Sequence, residues 1–289
     1  MSLRVLSPGL HTLVVDGGRP RTRSLGLPVG GAADRFSLAL GNALVGNLPD
    51  TPALEIAFYG PTLEAMTSLA CAVYGAPFDL TPYLPGCTFT LHPGEIFKIG
   101  GTPQGARAYL CIAGGIDAPV NMGSRTGLRP VSIGDVLSCR EGRKKGRSIP
   151  LPKMPSRLRV LPGAHAALFP MSGLNNTTYR VSAAVDRMGV RLEGAPLPVP
   201  AELASEPACP GAVQVTRDGQ CILLGVDGQT IGGYPKIAQV IAADVDLVGQ
   251  LRPGHSVSFE SVTFDEAASA WQQRCELLKE WLTRLAIST

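Results

Sequence analysis

Apolar residues in this chain come in runs of four to eight, and Gly, Pro or Asp separates nearly all of them. In the first half the runs are Leu3 to Leu6, Thr12 to Val15, Ala53 to Tyr59, Leu69 to Tyr74, Thr88 to Leu91, Ile96 to Ile99, Ala106 to Ala113 and Val136 to Cys139. Short runs between turn-forming residues predict strands of an all-β barrel or sandwich. After the Pro-rich stretch Ile149-Pro-Leu-Pro-Lys-Met-Pro155 the texture resumes, with Arg157 to Leu161, Thr178 to Val181, Val190 to Leu192, Ala212 to Val215, Ile222 to Leu224, Lys236 to Ile241 and Ser256 to Val262. The expected organisation is two β-rich domains, 1–148 and 157–289. The strand-opening pattern Gly-polar-x-apolar recurs as Gly94-Glu-Ile-Phe, Gly134-Asp-Val-Leu and Gly254-His-Ser-Val, and the last two close their halves, as two copies of one plan would.

Helical spacing is rare. Asp34 is placed to N-cap a helix with Phe36, Leu40 and Leu44 on one face. Thr263-Phe-Asp-Glu266 matches a capping box. Beyond it Ala267, Trp271, Cys275, Leu278, Trp281, Leu282 and Leu285 form an apolar stripe, expected to pack a C-terminal helix on the barrel.

Composition sharpens this picture. Gly 34 and Pro 25 fill about one position in five, too many for a helical bundle, and 45% hydrophobic content is too much for a disordered chain. Charged residues, at 17%, fall below the roughly 25% of an average soluble domain, which predicts a surface partly covered by a partner. The longest uncharged apolar stretch, Ala65 to Phe78, is 14 residues and too short for a membrane span, and the N-terminus lacks an apolar leader, so a cytoplasmic protein is expected. Seven cysteines without a Cys-x-x-Cys predict reduced core thiols and no metal site. Arg140-Glu-Gly-Arg-Lys-Lys-Gly-Arg147 carries five cations but no aromatics and is expected as a solvated linker, not a nucleic-acid surface.

No P-loop, dinucleotide fingerprint, His-Glu-x-x-His or nucleophile elbow occurs, and the four histidines stand singly, as loop or surface residues. Chemistry concentrates instead in three Gly-rich polar clusters. One is Asp16-Gly-Gly-Arg-Pro20 with Pro28 to Arg35, Gly41 to Asn47 and Glu55; the second is Ala113 to Asp117 with Gly123-Ser-Arg125; the third is Asp186-Arg-Met-Gly189 with Asp227-Gly-Gln-Thr-Ile-Gly-Gly-Tyr-Pro-Lys236. Gly pairs let backbone approach a ligand and leave N–H groups free for a carbonyl or anion. Within ten residues the third cluster offers a carboxylate, an amide, a hydroxyl, an aromatic edge and a cation, a set suited to a small planar amide or carboxylate. Gln229, Thr230, Tyr234 and Lys236 are its expected binding groups, and Arg19, Arg125 and Arg187 are the candidates for a ligand carboxylate.

Asp16-x-Gly-Arg-Pro, Pro28-Val-Gly-Gly-Ala-x-Asp-Arg, Asn42-x-Leu-Val-Gly-Asn, Leu54-Glu, Arg107-Ala-Tyr-Leu-x-Ile-Ala-Gly-Gly-Ile-Asp, Gly123-Ser-Arg, Asp186-Arg-Met-Gly-x-Arg-Leu-Glu-Gly and Gln229-Thr-x-Gly-Gly-Tyr-Pro-Lys-Ile-Ala span nearly the whole chain. In these stretches the sequence resembles the family of the C-type subunit of 5-oxoprolinase, the antikinase antagonist KipA and the biotin-dependent carboxyltransferase domain of urea carboxylase, often labelled as the second part of allophanate hydrolase. The resemblance implies a mainly β fold of two cyclophilin-like β-barrel domains with a few short helices and a C-terminal helix. It also implies a C-type subunit of an ATP-dependent enzyme that opens the lactam 5-oxoproline to glutamate with a B-type (KipI-like) sister and an A-type subunit, ATP binding mainly elsewhere in the complex. Two other readings are carboxyl transfer from carboxybiotin to a urea-like amide, with biotin on another chain, and a KipA-like module that sequesters a regulatory partner. On the resemblance, Lys236, Asp34 and Asp186 are the expected catalytic residues. Arg19, Asn42, Asn47, Glu55, Ser124, Arg125, Arg187, Gln229, Thr230, Gly232, Gly233 and Tyr234 are the expected substrate contacts. The chain departs from the family pattern at Val15, Gly17, Arg21, Val185 and Gly228, and its segment after Gly123-Ser-Arg is short.

Overall fold

The computed structural model describes residues 1–142, 146–154, 156–169, 174–199 and 203–287. The chain is mainly β and separates into two compact units, one of residues 1–20, 30–153 and 277–289, the other of 21–29 and 154–276. Of the basic run, Arg143, Lys144 and Lys145 lie outside the described residues, as does Pro155 of the Pro-rich stretch.

The first unit contains β1 (Ser2–Ser7), β2 (His11–Val15), α1 (Arg35–Leu44), β3 (Ala53–Ala57), β4 (Thr62–Ala65), β5 (Leu69–Gly75), β6 (Thr88–Leu91), β7 (Ile96–Lys98), β8 (Arg107–Ile112) and β9 (Val136–Ser138). A barrel was the expectation here; the strands instead form two open sheets, in the orders β7-β4-β1-β9 and β2-β3-β8-β5-β6. Backbone breakers account for the split. Pro8-Gly9 stands between β1 and β2, and Tyr59-Gly60-Pro61 follows β3, so neither run continues as one strand and each contributes to both sheets. The run expected at Ala53 to Tyr59 accordingly stops at Ala57, and the residues beyond it restart as β4. Leu3, Val5, Leu54, Ile56, Leu63, Val73, Phe89 and Phe97 belong to one core fed by both sheets. Tyr83 stacks on Phe89 at 4.3 Å and donates to Glu95 at 2.5 Å; that bond, with burial second, pushes the phenol up to about 12.

On the five-stranded sheet α1 packs a second core with Leu38, Leu40 and Leu44 against Tyr74, Tyr109 and Cys111. Arg147 is a departure from the solvated linker: it is buried, and its guanidinium donates to the Ala43 carbonyl at 2.8 Å, near the C-terminal end of α1 where a cation is favoured.

The second unit closes. β10 (Arg157–Pro162), β11 (Thr178–Val185), β12 (Gly189–Glu193), β14 (Ala212–Val215), β15 (Cys221–Leu224), β17 (Lys236–Val240) and β18 (Ser256–Ser261) make a seven-stranded barrel in the order β10-β17-β14-β15-β12-β11-β18. Two short strands, β13 (Glu206–Pro207) and β16 (Ile231–Gly232), pair outside it, and α2 (Val245–Val248) precedes β18. Val160, Val181, Leu192, Val213, Val215, Leu223, Val257 and Phe259 lie in its core. Asp244 caps the barrel end by accepting from the backbone N, Nε and Nη2 of Arg159 at 2.9, 3.0 and 2.6 Å.

The C-terminal helix α3 (Phe264–Ile287) opens on the capping box, Thr263 N donating to Glu266 Oε2 at 2.7 Å and Glu266 N to Thr263 Oγ1 at 3.2 Å. Its stripe divides. Ala267 and Ala270 pack with Ile241 of the second unit, whereas Leu278, Trp281, Leu282 and Leu285 join the α1 core of the first. Trp271 and Cys275, expected in the stripe, are exposed. Among the described residues no helix is long and apolar enough to cross a membrane. All seven cysteines are free; Cys71, Cys111, Cys139 and Cys221 are buried, and burial pushes the last two up to about 11.

Two measurements check this architecture. Gly75 has φ 130° and a Cβ there would lie 2.7 Å from the Arg107 carbonyl oxygen, so Gly75→Ala should cost about 1–3 kcal/mol in urea unfolding. Removing the Glu95 charge by Glu95→Gln should move one tyrosine ionisation downward from about 12 in an ultraviolet titration.

Candidate functional site

In the first unit Asp16 gathers the glycine-rich loops. Its Oδ1 accepts from Gly18 N (2.8 Å), Ser124 Oγ (2.5 Å) and Thr126 Oγ1 (2.8 Å), and its Oδ2 from Arg125 N (2.6 Å). Its carbonyl accepts from Ala32 N at 2.9 Å. Of the expected ligand contacts here, Ser124 is buried on Asp16, Arg19 donates to the Thr126 carbonyl at 2.9 Å, and Arg125 bonds to Asp117 at 3.0 Å and to the Ala118 carbonyl. These side chains tie loop to loop.

The same holds for the polar residues around α1. Asp34 caps the helix, Oδ1 accepting from Ser37 N at 2.9 Å and Oδ2 from Ser37 Oγ at 2.6 Å. Glu55, 1% exposed, accepts from Ala33 N at 2.8 Å and Tyr109 Oη at 2.9 Å and pairs with Arg107 at 3.5 Å. Tyr109 in turn accepts from Asp34 N at 2.7 Å, and burial, then the Glu55 charge, holds its phenol far above the usual range. Asn42 donates to the carbonyls of Pro49 and Thr51 and accepts from Asn47, which also bonds Ile112 O and Gly114 N.

The second unit is built differently. Barrel strands alternate, and with Val213, Val215 and Leu223 inside, Gln214 and Ile222 face outward. Register sets Arg191, Ile222, Gln214 and Lys236 in one line across β12, β15, β14 and β17. A bulge at Ile237 creates the last pairing: Val213 faces Ala238, so a regular ladder would bring Ile237 opposite Gln214, but Lys236 stands there. Over this face lies a groove of about 370 Å³, lined by Gln214, Gln229, Tyr234, Arg191, Ile222 and Asp186 among others.

Gln214 is 0% exposed. Its Oε1 accepts from Gln229 Nε2 at 3.4 Å, while its own Nε2 is buried without a hydrogen-bond partner among the described residues. A buried donor left unpaired costs about 1–3 kcal/mol, so its retention in a groove marks a place for an acceptor. Gly232 sits over the two amides; a Cβ there would lie 3.2 Å from Gln229 Nε2 and 3.6 Å from Gln214 Nε2.

Beside this row Lys236 Nζ pairs with Glu206 at 3.2 Å, and His165 Nε2 lies 3.6 Å from the same carboxylate. His165 Nδ1 accepts from Lys236 N at 3.1 Å, which leaves Nε2 as the protonated nitrogen facing Glu206. Thr230 holds Ala208 N through its carbonyl, Gly232 pairs with Glu206 in the β13·β16 ladder, and Gly233 packs below the Leu203 carbonyl. Asp186 closes its own turn through Met188 N (2.7 Å) and Gly189 N (3.0 Å). Arg187 is buried and bidentate to Asp227, at 2.7 and 3.2 Å.

Comparison with known proteins fits this construction. Residues 25–261 match the family model for the carboxyltransferase domain, subdomain A and B. The chain belongs to that family. Carboxyltransferase-domain relatives of similar length include the C-type subunit of 5-oxoprolinase from Escherichia coli (strain K12), 33% identical over 98% of both chains, and that of Haemophilus influenzae, 32% identical over 91% of this chain and 92% of its own. The crystal structure of the K. lactis urea amidolyase superposes with a TM-score of 0.89 at 27% identity, over 97% of this chain and 20% of that one.

Within this carboxyltransferase-domain chain the structure thus separates the expected residues by unit. Arg19, Asp34, Asn42, Asn47, Glu55, Ser124 and Arg125 form loop-fastening networks in the first; Asp186, Arg187, Gln229, Thr230, Gly232, Gly233, Tyr234 and Lys236 surround or adjoin the groove in the second. Gln214, Arg191, Glu206 and His165 were not among the expected residues. Gln214 had one readable signal, a polar residue between two valines of a strand. Gly228, a departure from the family pattern, has a local cause, since a Cβ there would lie 2.5 Å from Leu224.

Asp34 provides the sharpest check on this division. Asp34→Asn keeps a capping oxygen and should preserve both melting temperature and activity, whereas Asp34→Ala should cost about 1 kcal/mol of stability. Lost activity in a fully stable Asp34→Asn protein would instead assign the carboxylate to chemistry.

Proposed function

We propose that this chain is the C-type subunit of an ATP-dependent 5-oxoprolinase-like complex, acting with A- and B-type subunits to open a lactam to its amino acid. The observation that carries the reading is the 33% identity to the C-type subunit of 5-oxoprolinase over 98% of both chains, so the two have the same extent. Ring opening adds one water across the amide C–N bond, and coupling to ATP hydrolysis drives it. The sequence has no P-loop, in keeping with nucleotide bound mainly by another chain of the complex.

In this reading each half, 1–148 and 157–289, is a domain of cyclophilin-like plan, the first opened into two sheets. The second-unit groove takes the substrate, with Gln229, Thr230 and Tyr234 as its polar lining and Lys236 and Asp186 beside it for charge stabilisation and proton transfer. A B-type sister chain covers uncharged surface; the 17% charge content and the exposed Leu128, Ile133 and Val136 of the first unit support such a cover. A carboxyl-transfer reading draws support from the K. lactis urea amidolyase likeness and needs biotin on another chain.

The test is reconstitution with A- and B-type subunits from the same source. ATP hydrolysis should depend on 5-oxoproline, and Lys236→Ala or Gln229→Ala should lower turnover by about 10²-fold or more. A streptavidin-reactive partner without 5-oxoproline-dependent hydrolysis would move the assignment to carboxyl transfer, and a stable heteromer with neither property to a sequestering module.

A further inference from the structure

We propose that the outward row Arg191, Ile222 and Gln214, with Gln229 above it, recognises a cyclic cis-amide that carries a carboxylate, and so selects the substrate. The inference rests on the functional reading above but names contacts which that reading left open. Its starting point is the unpartnered Gln214 Nε2, wholly buried and lining the groove.

The two amides are set by each other. Gln229 Nε2 donates to Gln214 Oε1, turning over either amide alone would set like groups against each other, and turning over both keeps the bond and still leaves one donor and one acceptor free. The pair therefore presents one donor, Gln214 Nε2, and one acceptor, Gln229 Oε1, which receives no hydrogen bond among the described residues. A ligand that answers both must show a carbonyl oxygen and an N–H on the same edge. Ordinary secondary amides are trans and show them on opposite sides; a five-membered lactam is locked cis. Gly232 keeps the space above the pair clear, since a Cβ there would crowd Gln229 Nε2 at 3.2 Å and touch Gln214 Nε2 at 3.6 Å.

The carboxylate follows from register. Arg191 and Gln214 lie on strands two apart with Ile222 between them, about 10 Å from backbone to backbone at the usual strand spacing. Arg191 is exposed and lines the groove, and its charge helps to hold the Asp218 carboxyl below its usual range. It can close on a carboxylate while Ile222 forms an apolar floor for the ring methylenes. Arg187, one of the three sequence candidates for this role with Arg19 and Arg125, is held by Asp227.

Isothermal titration of the assembled complex tests this with three ligands: 5-oxoproline, its lactone analogue without the N–H, and 2-pyrrolidinone without the carboxylate. The expected order is 5-oxoproline first, each analogue weaker by at least about tenfold. Gln214→Met removes the donor to the carbonyl and should weaken all three ligands alike, whereas Gln229→Met removes the acceptor for the ring N–H and should erase the preference for lactam over lactone. The melting temperature of Gln214→Met should stay near that of the wild type, because the unpaired donor goes together with the 3.4 Å bond that Gln229 donates. Arg191→Gln should weaken 5-oxoproline about tenfold and leave 2-pyrrolidinone unchanged. Unaltered selectivity in Gln229→Met and Arg191→Gln, or unaltered affinity in Gln214→Met, overturns the assignment, as does absence of 5-oxoproline binding to the wild-type complex. Turnover by the wild type with unaltered variants sinks this inference alone. Selective binding as described without turnover sinks the functional reading and leaves the recognition site standing.

Discussion

A closed sheet gives every side chain one of two sides. In the seven-stranded barrel the inner side is filled by Val213, Val215, Leu223 and their neighbours, so Gln214 has nowhere to go but out, and the chain that crosses above it removes it from water. The groove is a consequence of that closure. Its lining is rigid because it is the outer face of a hydrogen-bonded ladder, and the loops over it supply Gln229, Gly232 and Tyr234. Preorganisation of this kind places polar groups at fixed separations before any ligand arrives.

The first unit solves a different problem. Glycine and proline cut its long β runs, and two open sheets share a core across the breaks. The segments that follow β2 and β8 are long and rich in glycine, and fixing them costs conformational entropy. Asp16 offsets that cost by gathering three donors from 108 to 110 positions away, and Glu55 does the same beneath α1 with Ala33, Tyr109 and Arg107. A buried charge as fully bonded as Glu55 holds one arrangement of its surroundings, because removal of any partner strands the rest.

Much of the β framework could be read from the chain, since alternation and turn residues act over four to eight positions. Two places where reading failed depend on distant contacts. Whether a half closes is decided by pairing between strands far apart in sequence, and the same short runs serve an open or a closed arrangement. The stripe of α3 was legible as a stripe, but Trp271 and Cys275 fall between the turns that pack with Ile241 and those that join the α1 core. For the site, glycine clusters pointed to loops that matter without separating a loop fastener such as Ser124 from a groove residue such as Gln229. That difference lies in which hydrogen bonds are already taken. Gln214 escaped notice because one glutamine between valines resembles any outward strand position until its burial is known.

The bulge at Ile237 has its own logic. A regular ladder would set Ile237 against Gln214 and send Lys236 to the inner face with Val215, where an ammonium among valines and leucines would have no counter-ion. The extra residue keeps that charge with Glu206. Lys236 thus serves as a register pin: an apolar residue at 236 would tolerate either alignment and let the strand slip. A polar replacement such as glutamine retains the aversion to the core, and it separates the chemical contribution of the ammonium from the alignment of the strand that bears it.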